Sequence, residues 1–151
     1  MVTSKIVLDT NIILDLFVFD DPQSAPLMAA LQSKTLTWVA TPPMRTELQR
    51  VLTYPQIAKR LATTEQSAKE ILAQVDSLVT WCEPVIKAPF TCKDPDDQIF
   101  IDLACQHQCT LLSKDKAVLA MRSRLARLGA TAATLEEQTA YFEAELRHDR
   151  H

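Results

Sequence analysis

The stretch Lys5-Ile-Val-Leu-Asp9-Thr-Asn11 sets a short apolar run directly before an acid, a hydroxyl and an amide. A run this short and this apolar predicts a buried strand whose polar end is Asp9. Beyond it, helical and strand-like segments alternate. Residues 24–33 predict a helix, with Ser24 as its cap and Pro26 in its first turn. Leu36-Thr-Trp-Val-Ala40 is β-rich and predicts a second strand. Thr41-Pro-Pro43 punctuates it and opens a helix with Met44, Leu48, Val51 and Leu52 at helical spacing. The spacing recurs over 64–80 through Ile71, Leu72, Val75 and Val79, behind a Thr63/Gln66 capping-box pattern.

Residues 81–93 carry Pro84 and Pro89 and read as irregular, with room for an edge strand or a loop. Asp96 to His107 is apolar nearly all round and predicts a buried helix. Thr110-Leu-Leu-Ser113 predicts a short strand, 116–128 a helix ended by Gly129, and Ala130-Thr-Ala-Ala133 a last strand. Thr134 and Glu137 make a second capping-box pattern before a final helix to about Leu146. Strands alternating with helices imply an α/β fold with a parallel sheet covered on both faces. The expected organisation is one domain over 1–147 and a frayed tail over 148–151.

Composition narrows the chemistry. Among 151 residues there is one glycine, where roughly 7% is usual. A P-loop or a dinucleotide-binding turn needs several, so phosphate must be held by side chains or a metal. The net charge of −3 argues against gripping nucleic acid by bulk positive charge. No apolar run is long enough to span a membrane, and Asp9 and Asp15 interrupt the N-terminal one. The cysteines, at 82, 92, 105 and 109, form no Cys-x-x-Cys pair and read as reduced thiols of a cytoplasmic protein.

The acids fall in a pattern. Ligands of parallel α/β sheets gather beyond the carboxyl ends of the strands. Asp9 ends the first strand, and Asp115 lies two residues past the Thr110–Ser113 strand. Asp94, Asp96 and Asp97 precede the buried helix that leads into it. Glu47 falls within the apolar stripe of its helix, where an unpaired carboxylate is costly. Each acid also has a structural reading: Asp9 as the cap of the following turn, Asp115 as the N-cap of the next helix, the Asp94–Asp97 group as dipole compensation, Glu47 as a marginal residue reaching water. Four acids on one edge would repel unless a divalent cation neutralised them. Oxygen-only ligands suit Mg²⁺ or Mn²⁺ rather than zinc.

Asp9-Thr-Asn-Ile, Glu47-Leu-Gln-Arg-Val-Leu, Lys93-Asp-Pro-Asp-Asp-Gln-Ile-Phe and Ser113-Lys-Asp115, in this order, resemble the PIN domain family. The similarity is greatest to its branch of toxin components of toxin–antitoxin systems and runs from residue 5 to about 140. It implies a three-layer α/β/α sandwich and a metal-dependent nuclease, most simply a ribonuclease. The resemblance makes Asp9, Glu47, Asp97 and Asp115 the catalytic acids, holding one or two Mg²⁺ or Mn²⁺ ions. It gives Asn11, Asp94 and Ser113 supporting roles. Gln98 departs from the pattern, since relatives often carry an acid there, and so does Lys114, where Gly or Arg is common.

Of these acids, Asp9 and Asp97 are the favoured direct ligands. Such ions would activate a water and stabilise the leaving oxygen, and the resemblance implies 5′-phosphate and 3′-hydroxyl products. An acidic site needs basic groups nearby, and Lys114, Lys116 and Arg45 are the candidates for holding RNA. No aromatic residue interleaves them, so the sequence indicates no base-stacking platform. The implied partners are an antitoxin protein and a second copy of the chain. Two other functions compete: a catalytically silent partner-binding protein, and an aspartyl-nucleophile phosphatase. The second wants an Asp where Asn11 stands.

Overall fold

The computed structural model describes residues 4–141. Five parallel strands form one sheet in the order β3-β2-β1-β4-β5, with β1 Ser4–Leu8, β2 Leu36–Ala40, β3 Val79–Trp81, β4 Thr110–Leu112 and β5 Thr131–Ala133. The central strand β1 pairs Ile6 with Trp38 on one side and with Thr110 on the other. Pairing continues past its end, where the Asp9 N–H donates to the Leu112 carbonyl at 3.0 Å.

Side chains alternate across this sheet, and each face has its own core. Ile6, Leu8, Trp38 and Leu112 point into one cluster. It packs α1 Thr10–Phe17, α2 Ala25–Gln32, α4 Pro55–Thr63 and α5 Ala68–Leu78. Val7, Val39, Leu111 and Ala132 point into the other, with α6 Gln98–His107, α7 Lys116–Leu119 and α8 Arg122–Arg127. The helix α3 Pro42–Val51 contributes Leu48 to the first core and Met44 to the second. These are the three layers of an α/β/α sandwich, as expected.

Several local expectations need correction. The helix α1 is an addition to the sequence reading: it is only eight residues long and every residue but Asn11 is buried, with Asn11 and Asp15 four apart on one face. So is α4, which opens on Pro55 and buries only Ile57 and Leu61. The helix expected over 64–80 starts at Ala68, where Ser67 accepts the Glu70 N–H at 3.1 Å. Thr63 instead closes α4, and Val79 already belongs to β3. Ser24 caps nothing with its side chain and ends a short 3₁₀ turn, Pro22–Ser24, capped by Asp21. Residues 116–128 form two short helices that part at Ala120 and Met121. The second capping box is present: the Thr134 hydroxyl accepts the Glu137 N–H at 3.2 Å, opening a helix over 135–141. Its expected end near Leu146 and the tail at 148–151 lie outside the described residues.

Candidate metal centre

β1 is where the sheet reverses: the chain passes from it to β2 on one side and reaches β4 on the other. Strand ends diverge at such a point and leave a crevice. Asp9 ends β1 there, with its carbonyl accepting the N–H groups of Ile12 and Ile13 at the start of α1. Ser113, fully buried just past β4, donates its hydroxyl to Asp9 Oδ2 at 2.7 Å and accepts the Asp115 N–H at 3.0 Å. One hydroxyl thereby ties the ends of two strands and orients two acids.

The Asp94-Pro-Asp-Asp97 segment supplies the rest. Asp94 accepts the Asp96 N–H at 3.0 Å and winds Pro95–Asp97 into a 3₁₀ turn ahead of α6. This turn delivers Asp97 into the crevice. Asp94, Asp97 and Asp115 each bring a carboxylate oxygen within 4.8 Å of the others. Asp115 is also a helix cap, accepting the Ala117 N–H at 2.8 Å, whereas the Asp9 side chain caps nothing at the start of α1. Asp94 and Asp115 are therefore the two cavity acids that cap. Capping uses one oxygen of each of these two acids and leaves the other.

Asp97 is different. It is 6% exposed, and its Oδ2 is buried without a hydrogen-bond partner. Burial, then the neighbouring charges of Asp9, Asp115 and Asp94, push its carboxyl up to about 8. Asp9 is also raised, by burial first, against the opposing hydrogen bond from Ser113. A buried oxygen with no donor, facing three other acids, is the arrangement a divalent cation satisfies. Among the described residues only Trp38 Nε1 shares that orphaned state, and it lies in the apolar core.

Glu47 stands apart from that trio. It is half-buried at the edge of its helical stripe and accepts the Thr10 hydroxyl at 3.0 Å. Burial raises its carboxyl, with Asp9 and Asp96 adding to the effect and Thr10 and Arg50 opposing it. It lines the same cavity of about 450 Å³ as Asp9, Asn11, Asp94, Asp97 and Asp115. All four candidate catalytic acids therefore converge on one cavity.

The basic candidates do not. Arg45 makes two 2.9 Å bonds to Asp76, and Lys114 reaches Asp15 at 3.0 Å, both away from the cavity lining. Lys116 is exposed at the start of α7, beside Asp115. The cation lining the cavity is Arg50, one helical turn beyond Glu47, together with Gln56 and two aromatic residues, Phe19 and Tyr54. No single-sequence signal marks those rings, which lie 35 residues apart in the chain and come to one cavity only through tertiary packing. Gln98 has a structural role. It accepts the Cys92 N–H at 2.6 Å and donates to the Phe90 carbonyl and to buried Asp102, bracing the loop that leads into Asp94.

Comparison with known proteins bears on the fold and the family. No curated protein matches the chain, while eight chains of solved structures do. One belongs to the crystal structure of VapBC2 from Rickettsia felis bound to a DNA fragment from their promoter. It superposes with a TM-score of 0.59 at 14% identity, covering 86% of this chain and 98% of that one. At that identity the likeness concerns the fold. The PIN domain family model matches residues 5–117, which hold every acid of the cavity. The chain belongs to the PIN domain family.

Proposed function

We propose that the protein is a divalent-metal-dependent endoribonuclease, acting in the cytoplasm as the toxin of a toxin–antitoxin pair. The observation that carries the chemistry is the orphaned Asp97 Oδ2 among Asp9, Asp94 and Asp115. Asp94, Asp97 and Asp115 would hold Mg²⁺ or Mn²⁺, with Asp9 completing the set or supporting a second ion. The bound ion would supply Lewis acidity toward the scissile phosphate and lower the pKa of the attacking water. Ser113 fixes the Asp9 carboxylate and the Asp115 backbone, so neither must reorganise during reaction. Glu47 Oε1, free of the Thr10 hydrogen bond and raised in pKa, is the atom to take the proton from water.

Arg45 and Lys114 are each committed to a carboxylate, so Arg50 and Lys116 hold the phosphates that flank the cut. The toxin assignment rests on the toxin-branch resemblance and on the likeness to the VapBC2 assembly on its promoter DNA. An antitoxin protein and a second copy of the chain are the partners it implies. The test is cleavage of end-labelled single-stranded RNA with Mg²⁺ or Mn²⁺, with and without EDTA. Cleavage that EDTA stops and that Asp9→Asn and Asp97→Asn lack supports the reading. Equal cutting by either variant refutes it. A phosphatase would instead release phosphate from monoesters.

A further inference from the structure

The cavity lining is chemically mixed. Beside the acids it carries two aromatic residues, Phe19 and Tyr54, each 40% exposed, and one cation, Arg50. Phe19 sits just past the end of α1, its N–H bonded to the Leu14 carbonyl at 2.9 Å. Tyr54 precedes α4 and caps it through its carbonyl, which accepts the Ile57 and Ala58 N–H groups. Both backbones are fixed by helix ends while the rings remain open to solvent. Phe17, close by in sequence, stacks on Trp38 inside the core at 6.0 Å between ring centroids. Among the described residues neither Phe19 nor Tyr54 has such a partner.

We infer that Phe19 and Tyr54 form a stacking wall for an unpaired nucleobase, with the adjoining phosphate directed toward the acids and Arg50. The inference rests on the nuclease reading for the nature of the ligand. A nucleotide matches both kinds of lining at once: its phosphate is drawn to cation-loaded acids, and its base offers a flat face to the rings. An apolar peptide seated in the cavity would also cover its carboxylates without neutralising them. The consequence is a requirement for single-stranded RNA at the cut, since a base held in a duplex cannot reach either ring.

The test is fluorescence anisotropy of a labelled single-stranded oligoribonucleotide with Ca²⁺ present, beside steady-state cleavage with Mn²⁺. Phe19→Ala and Tyr54→Ala should each weaken binding about tenfold and raise KM with kcat nearly unchanged. Tyr54→Phe should bind as the unmodified chain does. Phe19→Leu and Tyr54→Leu keep apolar bulk while removing the ring, and should weaken binding like the alanine variants. An abasic site moved along the strand should cost affinity at one position, and Tyr54→Ala should abolish that cost. Leucine variants that bind normally, or duplex RNA bound as tightly as single strands, would overturn the wall. Rings that serve a protein partner would give that unchanged RNA binding. The nuclease reading fails separately, if Asp97→Asn cuts as well as the unmodified chain.

Discussion

Asp97 folds into a place where its charge is unwelcome unless a cation comes with it. Its carboxyl stands at about 8 in the folded chain against an ordinary value of 3.8. The metal-free folded state therefore holds a proton that the unfolded chain gives up. Its contribution to stability is full below pH 4 and is lost as pH rises through 8. Thermal melts in EDTA should show the unmodified chain losing stability across that window relative to Asp97→Asn. At pH 8 the variant should be the more stable by about 1–3 kcal/mol. Saturating Mg²⁺ should reverse the order, because only the unmodified site gains from binding. Ser113→Ala removes the hydroxyl that serves two acids. Cleavage should fall about 10- to 100-fold, as for other groups that orient ligands, with the fold retained in circular dichroism.

Elements differ in how far the sequence announced them, and the difference is physical. The strands β1, β2 and β4 showed as short apolar or β-rich runs, and the Thr134–Glu137 box showed as a spacing that the structure uses. The helix α1 is short, and with all but Asn11 buried it offers only the Asn11/Asp15 spacing as a helical signal. Among the cavity residues, Asp9, Asp94, Asp97 and Asp115 were legible because strand ends and helix starts mark them, and Glu47 because it interrupts an apolar helical stripe. Phe19, Arg50 and Tyr54 were not, because only tertiary packing brings them together. Asp102 was hidden in an apolar helix. It accepts the Ala88 N–H at 2.9 Å and the Gln98 amide at 2.8 Å, pinning the loop that precedes the acidic turn. Asp102→Ala should cost about 1–3 kcal/mol in urea unfolding and speed amide exchange over residues 88–94. Gly129 stands at φ +81° after α8, and an added Cβ would meet the Gln108 amide at 2.8 Å. Gly129→Ala should therefore destabilise by roughly 1–2 kcal/mol in the same assay, mostly from the left-handed backbone.

Across the whole molecule, sheet order decides where chemistry can occur. The reversal at β1 opens a crevice, and one parallel sheet directs the ends of β1 and β4 into it. Near-absence of glycine fits that design, because carboxylates at strand ends can hold a phosphate-binding metal without a glycine-rich loop. The described residues include no helix long and apolar enough to cross a membrane. The central claim is that this crevice holds a divalent ion through Asp97. The direct measurement is anomalous diffraction from a crystal soaked in Mn²⁺. The account predicts a peak within coordination distance, about 2.0–2.3 Å, of Asp97 Oδ2 and of at least one of Asp9, Asp94 and Asp115. A crevice without a peak, or a peak bound elsewhere with Asp97 Oδ2 unengaged, would contradict it.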